Sequence, residues 1–177
     1  MWCSDQRGSR PTLFPPGKEA EIKKLYEDLE ECLNAARERF VRDLMNDRDA
    51  QLESLPSLLR KLPFAAMSAR IGTSFVRNKY DATKGSIDER IRAGLSRVRE
   101  LVGKKKYVLG EFSFADILCT SVVQAVDPVS DKWLDLPPAT RRLWTDANVA
   151  KDYADIVSWR DRIYEAHRPS LATKAAG

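Results

Sequence analysis

The side chains that could do chemistry in this chain are few. There is one histidine, His167, and there are three cysteines, Cys3, Cys32 and Cys119. No Cys-x-x-Cys or Glu-x-x-His pair brings metal ligands together at helical spacing, so no metal site is expected. A serine or cysteine hydrolase would have to use His167 as its base without a Gly-x-Ser-x-Gly turn, which argues against that chemistry. Gly103-Lys104 lacks both the earlier Gly and the following Ser or Thr of a phosphate-binding loop. His167 falls at the end of an expected helix, where a cation complements the macrodipole. Trp133, Trp144 and Trp159 read as core or domain-interface residues, and Cys119 as a small core residue.

One spacing does fix a geometry, and it serves folding. In Gly110-Glu111-Phe112-Ser113-Phe114-Ala115-Asp116-Ile117, Ser113 is placed as a helix N-cap that accepts from the N–H of Asp116. The Asp116 carboxylate reaches back to the N–H of Ser113, completing a capping box, with Phe112 and Ile117 closing over it as a hydrophobic staple. Ser113 and Asp116 should therefore be buried or half-buried and bonded to backbone. The helix they open, about 114–126, is apolar nearly all round, which places it in the middle of a bundle.

Tyr107-Val108-Leu109-Gly110 followed by Phe112-Ser113-Phe114-Ala115-Asp116-Ile117 resembles the C-terminal domain of cytosolic glutathione transferases, where such a box begins the central helix. Trp2-Cys3-Ser4-Asp5 with Leu13-Phe14-Pro15 looks like that family's junction between its thioredoxin-like domain and its helical domain. Tyr153 to Arg168 looks like the final helices of its bacterial-type members. The resemblance implies an all-α fold, a helical bundle of about five to seven helices around the central helix. It further implies that the first long helix lines the cleft between domains, which makes Asn34, Arg37 and Val41 candidate substrate-binding residues, and that the first two helices contribute to a homodimer.

The family's thiol chemistry is implied to lie elsewhere. Glutathione is held and activated by the thioredoxin-like domain, and one βαβ unit alone needs about 30 residues. Only residues 1–16 precede the helical part of this sequence. No catalytic residue is expected here, no cofactor is expected to be bound by this chain, and glutathione enters as co-substrate only with a thioredoxin-like domain present.

Organisation along the chain follows from composition and period. At 177 residues the chain is one domain by size and buries about 70% of the surface its unfolded form exposes, so a core forms without staples. The 43% apolar and 32% charged composition, with 8 Gly and 9 Pro, is that of a soluble helical protein. A net charge of +4 is too mild for a nucleic-acid binder, and no apolar run is long enough to span a membrane, so a cytoplasmic, reduced protein is expected. Residues 1–16 read as a linker, 17–168 as the helical domain and 169–177 as a flexible tail.

Steps of three and four from Ile22 to Leu44 predict a helix over 18–46, with Lys23, Glu27, Glu30, Arg37, Glu38 and Arg42 on its solvated face. A turn is expected over 47–54 and a helical stretch over 55–80, divided by Pro56 and Pro63 and carrying Arg60, Lys61, Arg70, Arg77 and Lys79. After a loop over 81–85, Ser86 is placed to cap a helix to Val102 that Gly103 ends, with Lys104, Lys105 and Lys106 in the loop beyond. A short helix over 140–148 and a last one over 149–167 complete the pattern.

The leading functional expectation is the C-terminal helical domain of a glutathione transferase-like protein, which supplies a hydrophobic acceptor-substrate wall and interdomain contacts and is inactive alone. The alternative is a non-catalytic protein–protein interaction module of the same helical type. A carrier of a hydrophobic small molecule stands third. The partners implied are a thioredoxin-like domain or partner protein.

Overall fold

The computed structural model describes residues 12–54 and 86–171. The expected helical stretch over 55–80, the loop to 85, the Trp2-Cys3-Ser4-Asp5 junction and the end of the tail lie outside the described residues. Within them the chain is all-α, with seven helices and no strand. They are α1 Glu19–Leu44, α2 Arg48–Glu53, α3 Ile87–Val102, α4 Phe114–Gln124, α5 Pro138–Trp144, α6 Ala147–Asp152 and α7 Ala154–His167.

Helix α1 forms because Ile22, Leu25, Leu29, Cys32 and Ala36 fall on one buried face. The opposite face carries the pairs Lys18–Glu21 at 2.8 Å and Lys24–Asp28 at 3.0 Å. Its last carbonyls, on Leu44 and Met45, accept from the buried amide of Gln51 at 3.0 and 2.8 Å. Helix α3 buries Ile91, Leu95, Val98 and Val102 against α1. The two helices approach closely at Gly94, where an added Cβ would stand 2.3 Å from the Cβ of Cys32. Helix α4 packs against α1, α3 and α7, which puts the most apolar helix at the centre of the core.

Three local expectations are corrected. Residues 48–53 are helical, because Asp47 caps the segment by accepting from the N–H of Ala50 at 3.0 Å. Ser86 precedes α3 as expected but makes no side-chain cap bond. Gly103 ends that helix at φ +49°, in the half of backbone space that glycine enters freely. The segments expected as helices over 140–148 and 149–167 are three. Asp146 starts α6 by accepting from Val149 N–H at 3.1 Å, and Tyr153, at φ −117°, interrupts the run before α7. The Tyr153 hydroxyl is fixed on α3, 2.8 Å from Ser96 Oγ and 3.2 Å from the Arg92 carbonyl, so tertiary contacts set the break.

Candidate functional site

Both ends of α4 are built from buried charge. At its start the capping box is present and both of its side chains are fully buried. Asp116 Oδ2 accepts from Ser113 N–H at 2.9 Å and from the Ser113 hydroxyl at 3.2 Å, while Oδ1 accepts from Val108 N–H at 2.9 Å. The carboxylate thus closes the loop from Val108 as well as the helix start. Burial pushes the Asp116 carboxyl above its ordinary value, and the donors from Val108 and Ser113 pull the other way.

Two buried arginines occupy the other end, where helix carbonyls are left without partners. Arg39 of α1 donates to the Ala125 carbonyl at 2.5 Å and to Trp144 O and Asp146 Oδ2, each at 3.4 Å. Arg160 of α7 donates to the Asp127 carbonyl and, at 2.7 Å, to its carboxylate. The loop that follows is gathered by Arg141, which reaches the carbonyls of Val129 and Leu134, each at 2.9 Å, and the carboxylate of Asp131 at 2.5 Å. Sequence periodicity does not single out these three residues, because their partners are backbone oxygens on other elements.

Beside the arginine-capped end lies a cavity of about 280 Å³. Helix α1 contributes Leu33, Ala36 and Arg37, and α4 contributes Ser121, Gln124 and Ala125. Pro128, Leu134 and Leu136 of the following loop and Trp144 of α5 complete its described lining. Trp144 is held by stacking on Phe40, with centroids 4.6 Å apart. The polar groups are largely spent: Ser121 bonds the Ile117 carbonyl at 2.8 Å and Gln124 the Tyr164 hydroxyl at 2.6 Å. Such a site accommodates a small apolar molecule, and its described lining aims no nucleophile or base into it.

Of the three cleft candidates, Arg37 lines this cavity. Asn34 lies one turn away and accepts from Arg37 Nη1 at 3.0 Å, whereas Val41 is buried and is not part of the described lining. Phe112 and Ile117 lie together along a different groove, with the Phe112 ring stacked on His167 at 3.7 Å between centroids. His167 also bonds the Tyr107 hydroxyl at 2.9 Å. Burial, together with the charge of Lys106, lowers its pKa from the ordinary 6.5, so its ring is neutral at neutral pH. His167 sits in the last turn of α7, at the expected helix end, and its ring packs against Phe112.

The described thiols, Cys32 and Cys119, are buried, and burial pushes both up to about 12, which keeps them protonated and unreactive. Among the described residues no cluster of His, Cys, Asp and Glu is arranged to hold a metal ion, and no helix is long and apolar enough to cross a membrane. Comparison with family models, with curated proteins and with solved structures found no match to this chain.

Proposed function

We propose that this chain is a helical domain of the glutathione transferase C-terminal type, which supplies the apolar wall of an acceptor-substrate site and is not catalytic alone. The observation that carries the reading is the buried Ser113–Asp116 box at the start of the central helix α4, with the Leu13-Phe14-Pro15 segment seated on it. Phe114 N–H donates to the Leu13 carbonyl at 2.8 Å, and the rings of Phe14 and Phe114 stack at 5.3 Å. That arrangement suits a segment leading out of a preceding domain and fixed at the base of the bundle. The cavity between α1 and α4, with Arg37 in its lining, is suited to the apolar part of an electrophile. Activation of glutathione then falls to residues outside this sequence.

The test is a titration of the 177-residue chain with 1-chloro-2,4-dinitrobenzene, followed by tryptophan fluorescence. Saturable quenching that is lost in Leu136→Asp and in Trp144→Phe is expected, with conjugation of glutathione no faster than in buffer. Absence of saturable quenching would overturn the acceptor wall, and conjugation well above the buffer rate would overturn the assignment of catalysis elsewhere. Failure to bind the electrophile, combined with a stoichiometric co-purifying protein, would favour an interaction module of the same helical type.

A further inference from the structure

The groove on the far side of Gln124 has chemistry of its own. Its volume is about 230 Å³, and it lies between the first turns of α4 and the end of α7. Buried Thr120 and Ile163 and half-buried Ile117 give it an apolar bed, since the Thr120 hydroxyl is spent on the Ile117 carbonyl at 2.9 Å. Flat rings line it as well: Phe112 and His167 form a stacked pair inclined by 6°, and Tyr164 lies beside them. The His167 ring is oriented by Tyr107 at 2.9 Å, and the Tyr164 hydroxyl by Gln124 at 2.6 Å. These rings are therefore fixed before any ligand arrives, which lowers the entropic cost of binding a planar group.

The charge in this groove is one-sided. Arg39, Arg90, Arg99, Arg141 and Arg160 each engage a carboxylate. Arg168, exposed in the groove lining, engages none among the described residues; its guanidinium lies 5.7 Å from the centroid of the Tyr164 ring. A guanidinium next to an aromatic face keeps its fork of N–H donors available for a planar anion.

We propose that the groove between α4 and α7 is a binding site for a small aromatic carboxylate, with its ring against Phe112, His167 and Tyr164 and its carboxylate paired with Arg168. This site is separate from the acceptor cavity and stands whether or not the reading of that cavity holds. Its volume falls below the roughly 300–1,000 Å³ usual for ligand pockets, so the occupant is a compact one- or two-ring acid.

The probes are 2-naphthoate and its uncharged analogue 2-naphthalenemethanol, titrated calorimetrically against the full chain. The acid is expected to bind at least about tenfold more tightly than the alcohol, the change that about 1.4 kcal/mol from a charge-assisted hydrogen bond produces. Arg168→Gln, a change at an exposed position, should bring the two affinities together and leave the melting temperature in place, while Arg37→Gln should preserve the difference. The proposal is overturned by equal affinities in the unsubstituted protein, by absence of saturable binding, or by a preference that survives Arg168→Gln. A preference lost in Arg37→Gln would assign the anion to the cavity between α1 and α4, and would equally overturn it.

Discussion

The Asp116 carboxylate bonds the backbone N–H of Val108, eight residues before it, at the same 2.9 Å distance at which it bonds Ser113. One side chain therefore satisfies a loop donor and a helix-start donor, both in the fully buried neighbourhood of α4. Asp116→Ala leaves two buried N–H groups without an acceptor, at about 1–3 kcal/mol each. Ser113→Ala removes one cap hydroxyl, at about 1 kcal/mol. Equilibrium unfolding in urea should give an Asp116→Ala loss at least about twice that of Ser113→Ala. Equal losses would show that the Val108 bond contributes nothing.

What the sequence made legible was whatever depends on near neighbours. The three-and-four spacing of Ile22, Leu25 and Leu29 fixes a face of α1, and Ser113 and Asp116 are one helical turn apart, so both could be read locally. Asp47 as a cap was equally local, but six residues of helix carry too little periodicity to separate α2 from a turn. Arg39 and Arg160 were not legible as buried residues, because what permits their burial is a set of oxygens at Ala125 and Asp127, brought near only by packing. The same holds for the groove at Arg168, whose walls come from Phe112 and His167, 55 residues further on by their numbering (167 − 112).

Gly94 tests the closeness of α1 and α3. A Cβ at this position would meet Cys32 Cβ at 2.3 Å and Sγ at 2.5 Å. Alanine would otherwise favour the helix by about 1 kcal/mol, but overpacking of this severity costs roughly 1–3 kcal/mol or more. Gly94→Ala should therefore be destabilising in thermal unfolding. It should remain so in a Cys32→Ala background, because the nearest contact is to the Cβ that alanine retains. Full rescue by Cys32→Ala would assign the clash to sulfur alone.

Arg160 is predicted to be irreplaceable by a similar-sized neutral side chain. Its guanidinium is 2% exposed and serves the carbonyl and the carboxylate of Asp127 together. Arg160→Met leaves the Asp127 carbonyl without its donor and the Asp127 carboxylate, 31% exposed, without its charge partner, a loss of about 1–3 kcal/mol. Lysine restores the charge without the fork, so Arg160→Lys should recover only part of the loss. Chemical denaturation of the two variants measures both quantities, and a Met variant as stable as the parent would remove Arg160 from the set of residues that hold α4.

Stability should also vary with pH through His167. Its folded pKa lies below 6.5, first through burial and then through the charge of Lys106, with Asp116 opposing. The unfolded chain therefore binds this proton more readily, so the contribution of His167 is present above 6.5 and is lost as pH falls from 6.5 through the folded value. Asp47 and Asp155 act lower on the scale. Backbone N–H donation from Ala50 to Asp47, and the Arg99 guanidinium beside Asp155, hold these carboxyls below 3.8, so their contributions are lost only as pH falls below 3.8 through the folded values. Asp116, raised above 3.8, works in the opposite sense just above that pH, since the folded state takes up its proton first. His167→Phe retains a ring against Phe112 and deletes the titration. Melting temperatures between about pH 7.5 and pH 5 should accordingly fall in the parent and flatten in His167→Phe, while the acid limb near pH 3 is common to both. A parent curve already flat between those values would show that His167 titrates alike in the folded and unfolded states.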